Sequence, residues 1–211
     1  MSKINLHYFD IYGDGECIRT ILTYFDIPFN DHRISVEEWK NLKSQGFSEF
    51  DLLPALDIDG LRLVDTESIC NYIARKYEFY PKNFIDTYLV DSICEYRKFI
   101  LGSFTEILIG DDLPGWERFI HEKMPYFLRK FEARLEKNNG GFTYFVDVSI
   151  TMADFMIFDI IYNFCLRPGK IEKFGNIVDI NAPKCKTLCE RIINSSDRFR
   201  EYLKNRPYRK F

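Results

Sequence analysis

The sequence predicts an α/β domain followed by an all-helical domain. Short strand-like runs alternate with amphipathic helical stretches as far as residue 80, and every later periodic stretch has the spacing of a helix. The change between the two patterns falls at a turn-rich segment, residues 80–83. The chain has 211 residues, which is enough for one large domain or two small domains.

The first predicted elements are a strand, a helix and a second strand. Residues 4–9 form a strand-like run that a glycine-bearing turn separates from an amphipathic helix. The apolar stripe of that helix has the spacing i, i+3, i+4, i+7 and consists of Ile18, Ile21, Leu22 and Phe25. Residues 29–34 predict the second strand, and Ser35 is the predicted N-cap of a helix that runs to about Lys43.

A hairpin and a further helix complete the first domain. Residues 55–58 and 61–64 predict two strands joined by a tight turn at Asp59-Gly60, and Thr66 is the predicted cap of the following helix. The order β-α-β-α-β-β-α is that of a thioredoxin-like domain. We therefore predict a thioredoxin-like domain over residues 1–79, a linker over residues 80–86 and an all-α domain over residues 87–211.

The second domain contains several helical patterns. One stripe begins at Leu89, and another begins near Pro114 and continues to Leu135, with Pro125 expected to kink or interrupt the helix. Residues 151–154, Thr-Met-Ala-Asp, form a capping box with Asp in the place of Glu. The stretch that follows is apolar on nearly all sides, so we expect a central, buried helix there. Weaker patterns predict helices around residues 188–193 and 199–203.

Composition and charge argue against several classes of function. The net charge is −3 and no long basic block occurs, so a role on nucleic acid or on an anionic membrane has no electrostatic support. No apolar run approaches the length of a membrane span, and no signal-peptide pattern is present. Six scattered cysteines without a C-x-x-C pair predict unbridged thiols and no metal site. We expect a soluble, cytosolic protein.

Tyr8 is the main candidate for chemistry. It stands near the end of the first predicted strand, directly before the turn that leads into the first helix. A phenol in that position can donate a hydrogen bond to an anion held at the helix N-terminus, which makes Tyr8 a candidate for activating a thiol of a substrate. The alternative is a core or rim aromatic residue whose hydroxyl is satisfied within the protein.

Several short motifs follow one another in a recognisable order. They are Leu6-His7-Tyr8-Phe9, then Gly13 with Glu16 and Arg19, Asp26-Ile27, Asp31-His32-Arg33-Ile34, Trp39, Leu53-Pro54 and the capping box at Thr151 to Asp154. This order and spacing resemble the cytosolic glutathione transferases along essentially the whole chain. The resemblance is closest to the sigma class, which includes the haematopoietic-type prostaglandin D synthases and the lens S-crystallins.

The resemblance implies an enzyme that uses glutathione as co-substrate and holds no permanently bound cofactor. The glutathione thiolate would attack small hydrophobic electrophiles, with the Tyr8 hydroxyl stabilising the thiolate. Leu53, before a cis Pro54, would bind the cysteinyl part of glutathione through its backbone, as an added strand does. The remaining implied contacts are Thr66 with the γ-glutamyl carboxylate, Asp65 with the γ-glutamyl ammonium, and Trp39 and Lys43 with the glycine carboxylate.

Simpler interpretations of these residues stay open. Pro54 is equally typical of an ordinary turn, Thr66 of a plain helix cap, and Asp65 of a solvated turn. Trp39 and Lys43 also fit a surface helix with one half-buried indole ring.

The resemblance further implies a second substrate against the fourth helix and a homodimer. Phe9, Tyr12, Phe104 and Leu108 are the candidates for the hydrophobic substrate site. Phe50 occupies the position at which the family inserts an aromatic residue into the partner subunit. The alternative for each of them is the core of its own domain.

Departures from the family pattern favour a second class of function. Tyr12 and Asp14 replace basic residues in the loop beside Tyr8, and Leu52 and Phe99 replace polar or acidic residues of the family. Asp14, Leu52 and the missing acid at Phe99 suit a non-catalytic ligand-binding or structural protein, as the S-crystallins are. A third interpretation is thiol–disulfide exchange at Cys17, which lies in the first turn of the first helix.

Overall fold

The computed structural model describes residues 3–110, 112–167 and 172–209, and it leaves out the side chains of residues 108, 109, 172, 173 and 175. Two compact units are present. Unit 1 comprises Met1–Glu78 together with Ser196–Phe211, and unit 2 comprises Phe79–Ser195. The sequence prediction assigned residues 196–211 to the helical domain, whereas in the structure they belong to unit 1. The physical reason is the buried ring of Phe199, which packs against Tyr24 at 5.6 Å between ring centroids.

Unit 1 contains the predicted four-stranded sheet. Its elements are β1 (Ile4–Phe9), α1 (Gly13–Tyr24), β2 (Phe29–Ile34), α2 (Val36–Ser44), a 3-10 turn (Glu49–Asp51), β3 (Ala55–Ile58), β4 (Leu61–Val64) and α3 (Thr66–Lys76), with α10 (Asp197–Asn205) near the chain end. The strand order is β2-β1-β3-β4. Strand β1 runs parallel to β2 and antiparallel to β3, and β3 and β4 form an antiparallel hairpin. The thioredoxin-like prediction is confirmed.

Local chemistry sets the helix starts in unit 1. Ser35 caps α2 as predicted, since its hydroxyl accepts from the Glu38 N–H at 3.1 Å and the Glu38 carboxylate accepts from the Ser35 N–H at 2.7 Å. The predicted cap of α3 was wrong by one residue. Asp65 is the N-cap, and its carboxylate accepts from the N–H groups of Glu67 and Ser68. Asp65 directly precedes the helix, so its side chain can accept hydrogen bonds from these backbone donors. Thr66 is the first helical residue.

All regular elements in the described part of unit 2 are helical, and a non-helical connection spans residues 142–151. Its elements are α4 (Phe84–Ile109), α5 (Leu113–Arg118), α6 (Met124–Lys137), a 3-10 turn (Asn139–Gly141), α7 (Met152–Phe158), α8 (Glu172–Asn181) and α9 (Pro183–Asn194). Two π-helical segments join these elements, Phe119–Lys123 between α5 and α6 and Asp159–Leu166 after α7. Within the described residues, no helix is both long enough and apolar enough to cross a membrane.

The helix that contains Pro125 shows how the chain accommodates this proline. The predicted interruption takes the form of the π-helical segment Phe119–Lys123, which ends directly before α6. Pro125 is in the first turn of α6, where a residue without a backbone N–H is tolerated. The wider π-helical turn also relieves the crowding between the proline ring and the preceding carbonyl groups. The chain therefore stays helical on both sides of the proline.

Two buried carboxylates organise the centre of unit 2. Asp154 accepts hydrogen bonds from the Thr151 N–H (2.7 Å), the Thr151 hydroxyl (3.0 Å) and the Phe145 N–H (2.9 Å), so the predicted capping box and buried helix are confirmed. Burial raises the pKa of Asp154 to about 6, against the opposing effect of these hydrogen bonds. Asp159 accepts from the Arg97 guanidinium, with the nearest approach of 2.6 Å at Nη2. Both side chains of this pair are almost completely buried.

Candidate functional site

Tyr8 lies near the C-terminal end of β1 and points at the start of α1. Its side chain is 7% exposed, and its hydroxyl oxygen accepts a hydrogen bond from the backbone N–H of Asp14 at 3.1 Å. Asp14 is in the first turn of α1, where the backbone N–H groups of the helix have no partner within the helix itself. The phenol oxygen is therefore held at the positive end of a helix dipole.

Two glycines in the first turn of α1 make room for Tyr8. A Cβ atom on Gly13 would lie 2.7 Å from the Tyr8 hydroxyl oxygen, and a Cβ atom on Gly15 would lie 2.5 Å from the Tyr8 ring carbon Cδ1. Gly13 also has a φ of +39°, which side-chain-bearing residues rarely adopt. Because any larger residue at these positions would displace the ring, the two glycines are needed to place the hydroxyl.

Leu53 and Pro54 lie at the same end of the sheet as Tyr8. The Leu53–Pro54 peptide bond is cis, as predicted. In the antiparallel pairing of β1 with β3, His7 is opposite Ala55, so the residues directly before Ala55 continue towards Tyr8 and Phe9. Leu53 is half-buried and Pro54 is buried. The backbone of Leu53 is thus available at the end of the strand that adjoins the tyrosine.

The start of α3 meets the start of α1 at Asp14. The hydroxyl of Thr66, which is 4% exposed, donates to the Asp14 carbonyl oxygen at 3.4 Å, while the Asp14 N–H donates to Tyr8. Asp65 adopts a positive φ of 71° and its carboxylate is engaged in capping α3. The structure therefore brings Tyr8, Asp65 and Thr66 together around the N-termini of two helices, with Leu53 at the strand end beside Tyr8. Such helix starts favour carboxylate groups of a ligand.

Trp39 and Lys43 lie on α2, one turn apart. The indole ring of Trp39 is half-buried, and Lys43 is exposed with its Nζ 3.9 Å from the Asp51 carboxylate. No residue of α2 is fully buried. The two side chains are therefore accessible to a ligand.

A buried ionic network adjoins the loop between β1 and α1. The sequence prediction did not identify the ion pairs and hydrogen bonds that form it. The Glu16 carboxylate is 1% exposed and accepts from Arg19 (3.3 Å), from the Tyr202 hydroxyl (2.8 Å) and from Arg206 (2.6 Å). The spacing of Glu16 and Arg19 is visible in the sequence, but Tyr202 and Arg206 follow after 186 and 190 residues. A separation of that size leaves no local signal.

The electrostatics of this network keep its donors protonated. Burial and the neighbouring Glu16 carboxylate together raise the pKa of Tyr202 well above its ordinary value. Burial is the largest single effect on Arg206 and would lower its pKa, but the charge and hydrogen bond of Glu16 together with the neighbouring Tyr202 and Tyr12 raise that pKa above its ordinary value. The hydrogen-bond donors of the buried Glu16 carboxylate come from α1 and from the last segment of unit 1.

Comparison with known proteins now identifies the family. Residues 4–75 match the family model of the glutathione S-transferase N-terminal domain, and residues 111–206 match that of the C-terminal domain. A probable glutathione S-transferase, gst-36 of Caenorhabditis elegans, is 30% identical over 66% of this chain and 71% of its own length. The chain belongs to the glutathione S-transferase family.

Other members of this glutathione S-transferase family are similar over the full length. S-crystallin 4 of Enteroctopus dofleini is 27% identical over 100% of both chains. The crystal structure of monomeric Na-GST-3, a glutathione S-transferase of the hookworm Necator americanus, superposes with a TM-score of 0.82 at 27% identity, over 99% of this chain and 100% of the other. The predicted fold and the predicted enzyme family are thereby confirmed, and glutathione is the substrate that the family uses.

The candidates for the hydrophobic substrate site of this transferase differ in their surroundings. Phe9 is half-buried beside Tyr8, with 5.6 Å between the ring centroids. Tyr12 is 7% exposed, and its hydroxyl donates to the Pro207 carbonyl at 3.0 Å, so little of its ring remains for a substrate. Phe104, in unit 2, belongs to an aromatic cluster with Trp116, Phe119 and Phe164. The side chain of Leu108 lies outside the described part of the chain.

The remaining candidates are decided by exposure. Phe50 is 73% exposed, which contradicts the alternative that it belongs to the core of its own domain. Phe99, at the position of a family acid, is 60% exposed on α4. Cys17 is 0% exposed, so its thiol has no access to a disulfide substrate and the thiol-exchange interpretation is contradicted.

Proposed function

We propose that this protein is a glutathione transferase that joins the thiolate of glutathione to small hydrophobic electrophiles, with the Tyr8 hydroxyl stabilising the thiolate. The observation that carries the proposal is the position of the Tyr8 oxygen, 3.1 Å from the backbone N–H of Asp14 in the first turn of α1. A thiolate bound beside this oxygen would accept a hydrogen bond from the phenol O–H and would lie near the positive end of the helix.

The chemistry requires a thiol that ionises near neutral pH. An unperturbed thiol has a pKa of roughly 8.5, so only a few per cent is thiolate at neutral pH. A hydrogen bond donated to the sulfur stabilises the thiolate more than the thiol and lowers that pKa, with each unit corresponding to about 1.4 kcal/mol. Tyr8 acts as a donor to the nucleophile and forms no covalent bond.

The other site residues would hold glutathione in place. Leu53 would pair with the cysteinyl backbone as an added strand does, and its position at the strand end beside Tyr8 supports this role. Thr66, at the start of α3, would bind the γ-glutamyl carboxylate. Asp65 would bind the γ-glutamyl ammonium in addition to capping α3, and Trp39 and Lys43 would bind the glycine carboxylate.

The proposal also covers the contact with the electrophile, the oligomeric state and the cellular location. Phe9, half-buried beside Tyr8, is our assignment for an apolar contact with the electrophile. The protein would form a homodimer into which each subunit inserts Phe50, and the exposure of that ring supports this role. A cytosolic location agrees with six buried cysteine thiols, which suit a reducing compartment.

A non-catalytic ligand-binding or structural role is the second candidate. The full-length similarity to S-crystallin 4 favours it, as does the acidic side chain of Asp14 in the turn beside Tyr8. An anion at that point opposes the accumulation of negative charge on sulfur. Leu52, 46% exposed next to Leu53, offers no polar group to glutathione.

Glutathione binding and turnover distinguish the two candidates. Calorimetry would measure binding, and conjugation of a generic aromatic electrophile would measure turnover, for the wild type and for Tyr8→Phe. We expect the wild type to bind and turn over, and we expect Tyr8→Phe to bind with similar affinity but to lose about 10- to 100-fold in kcat. Binding without turnover by the wild type would favour the non-catalytic candidate, and the absence of binding would refute the proposal.

A further inference from the structure

The segment that follows α10 is bound to the loop that carries Tyr8 into α1. Three polar contacts join them: Arg209 Nε donates to the Asp10 carboxylate at 2.9 Å, Tyr12 donates to the Pro207 carbonyl at 3.0 Å, and Arg206 donates to the Glu16 carboxylate at 2.6 Å. Asp10 and Tyr12 lie directly before α1, and Glu16 lies in its first turn. All of these residues belong to unit 1.

The contact between Arg206 and Glu16 is the most deeply buried of the three. The side chains of Arg206 and Glu16 are 4% and 1% exposed. The Arg206 guanidinium also lies 4.8 Å from the centroid of the Tyr12 ring, within the range of a cation–π interaction. Arg206 therefore contacts two residues of the same short stretch, one by charge and one by ring stacking. Without Arg206, the Glu16 carboxylate would stay buried with one guanidinium fewer, which is unfavourable enough to move the turn.

The first turn of α1 needs such support because of its glycines. Gly13 and Gly15 are required by the close approach of the Tyr8 ring. Glycine also gives the backbone more conformational freedom than any other residue. Asp14, whose N–H binds the Tyr8 oxygen, lies between these two glycines. The contacts of Tyr12 and Glu16 with the final segment restrain the turn immediately before and after them.

We infer that Arg206 is a positioning residue for Tyr8, because it holds Glu16 and Tyr12 and so fixes the turn of α1 against which the tyrosine hydroxyl is placed. This inference rests on the proposed role of Tyr8 in stabilising the glutathione thiolate. Arg206 itself would touch neither glutathione nor the reacting atoms. Its effect would appear in the ionisation of the bound thiol and much less in the affinity for glutathione.

The test is the pKa of the thiol of bound glutathione, followed by the ultraviolet absorbance of the thiolate across a pH series. We expect Arg206→Met to raise that pKa by about one unit. At pH values below the pKa, kcat should fall by about tenfold. The KM for glutathione should stay within about threefold, because the contacts of Leu53 and Thr66 are unchanged. Arg206→Lys keeps the charge beside Glu16 and should recover most of the shift.

A control arginine with an exposed ion pair is available on α10, the helix that Arg206 follows. Arg198 pairs with Asp26, beyond the C-terminal end of α1 and away from the loop beside Tyr8. Arg198→Met removes one arginine from α10, and Arg206→Met removes one directly after that helix. The Arg198→Met variant should leave the thiol pKa of bound glutathione unchanged. If Arg206→Met does not fold, Tyr202→Phe removes a single hydrogen bond to Glu16 and should raise the pKa in the same direction by a smaller amount.

The outcomes separate this inference from the proposed function. A folded Arg206→Met variant with an unchanged thiol pKa would overturn the positioning role, while a pKa shift in Tyr8→Phe would leave the proposed function intact. An equal shift in Arg198→Met would also overturn it, because the effect would then be a general loss of packing by α10. If the wild type does not lower the thiol pKa at all, both the inference and the proposed function fail.

Discussion

Glu16 in unit 1 and Asp159 in unit 2 are both buried carboxylates held by arginines, but they lie in different surroundings. Glu16 binds Arg206 from the segment after α10, and its turn of helix carries the backbone N–H that binds Tyr8. Asp159 binds Arg97, which joins the start of a π-helical segment to the long helix α4. The same chemistry therefore stabilises packing between helices in one unit and, by our inference, a functional hydroxyl in the other.

The largest expected effect is on the stability of unit 2. We expect Arg97→Met to lower the free energy of unfolding by about 3–5 kcal/mol, because the Asp159 carboxylate would stay buried without its guanidinium partner. Urea denaturation followed by circular dichroism measures this loss. Where the variant is still folded, the thiol pKa of bound glutathione should be that of the wild type.

A double variant is the control for that stability measurement. Replacing both charges, as Arg97→Met with Asp159→Leu, removes the buried anion and should recover most of the lost stability. A raised thiol pKa in Arg97→Met would erase the distinction between the two carboxylates. A loss below about 1 kcal/mol would show that the Arg97–Asp159 pair does not stabilise unit 2.

A smaller effect is expected at the exposed aromatic residue of unit 1. Phe50 has a φ of 61°, and asparagine adopts this left-handed conformation more readily than most residues. Phe50→Asn should therefore leave the folded subunit unstrained while weakening the proposed dimer by about 10- to 100-fold in Kd. Sedimentation velocity over a concentration series measures the dissociation.

The matched control for Phe50 lies in unit 2. Phe142 is 78% exposed, close to the 73% of Phe50, and nothing in the sequence predicts an interface role for it. Phe142→Asn should leave the dissociation constant unchanged. A wild type that sediments as a monomer, or equal weakening by both variants, would contradict the assignment of Phe50.

Much of unit 1 could be predicted because its signals are local. The strand at residues 4–9, the cap at Ser35 and the Asp59-Gly60 hairpin each depend on residues a few positions apart, and the structure confirms all three. The cap of α3 was misassigned because Asp65 and Thr66 are both good N-cap residues, and only the backbone decides between them. The location of Tyr8 beside the start of α1 could be predicted because Tyr8 is near the end of the first strand.

The parts that could not be predicted depend on distant residues. Tyr12 was expected to contact a substrate, yet its hydroxyl bonds to Pro207, which is 195 residues away. The final helix has an ordinary amphipathic pattern that shows only that one face is buried, and it does not show in which unit. Its assignment to unit 1, and with it the partners of Glu16, required the structure.

The central claim is that the Tyr8 hydroxyl stabilises the glutathione thiolate, and a spectroscopic titration tests it most directly. The thiolate absorbance of bound glutathione would be followed from acid to alkaline pH in the wild type and in Tyr8→Phe. We predict a bound-thiol pKa about 1–2 units below the ordinary value of roughly 8.5 in the wild type, and a return to within about half a unit of that value in Tyr8→Phe. A lowered pKa that is the same in both proteins would contradict the claim.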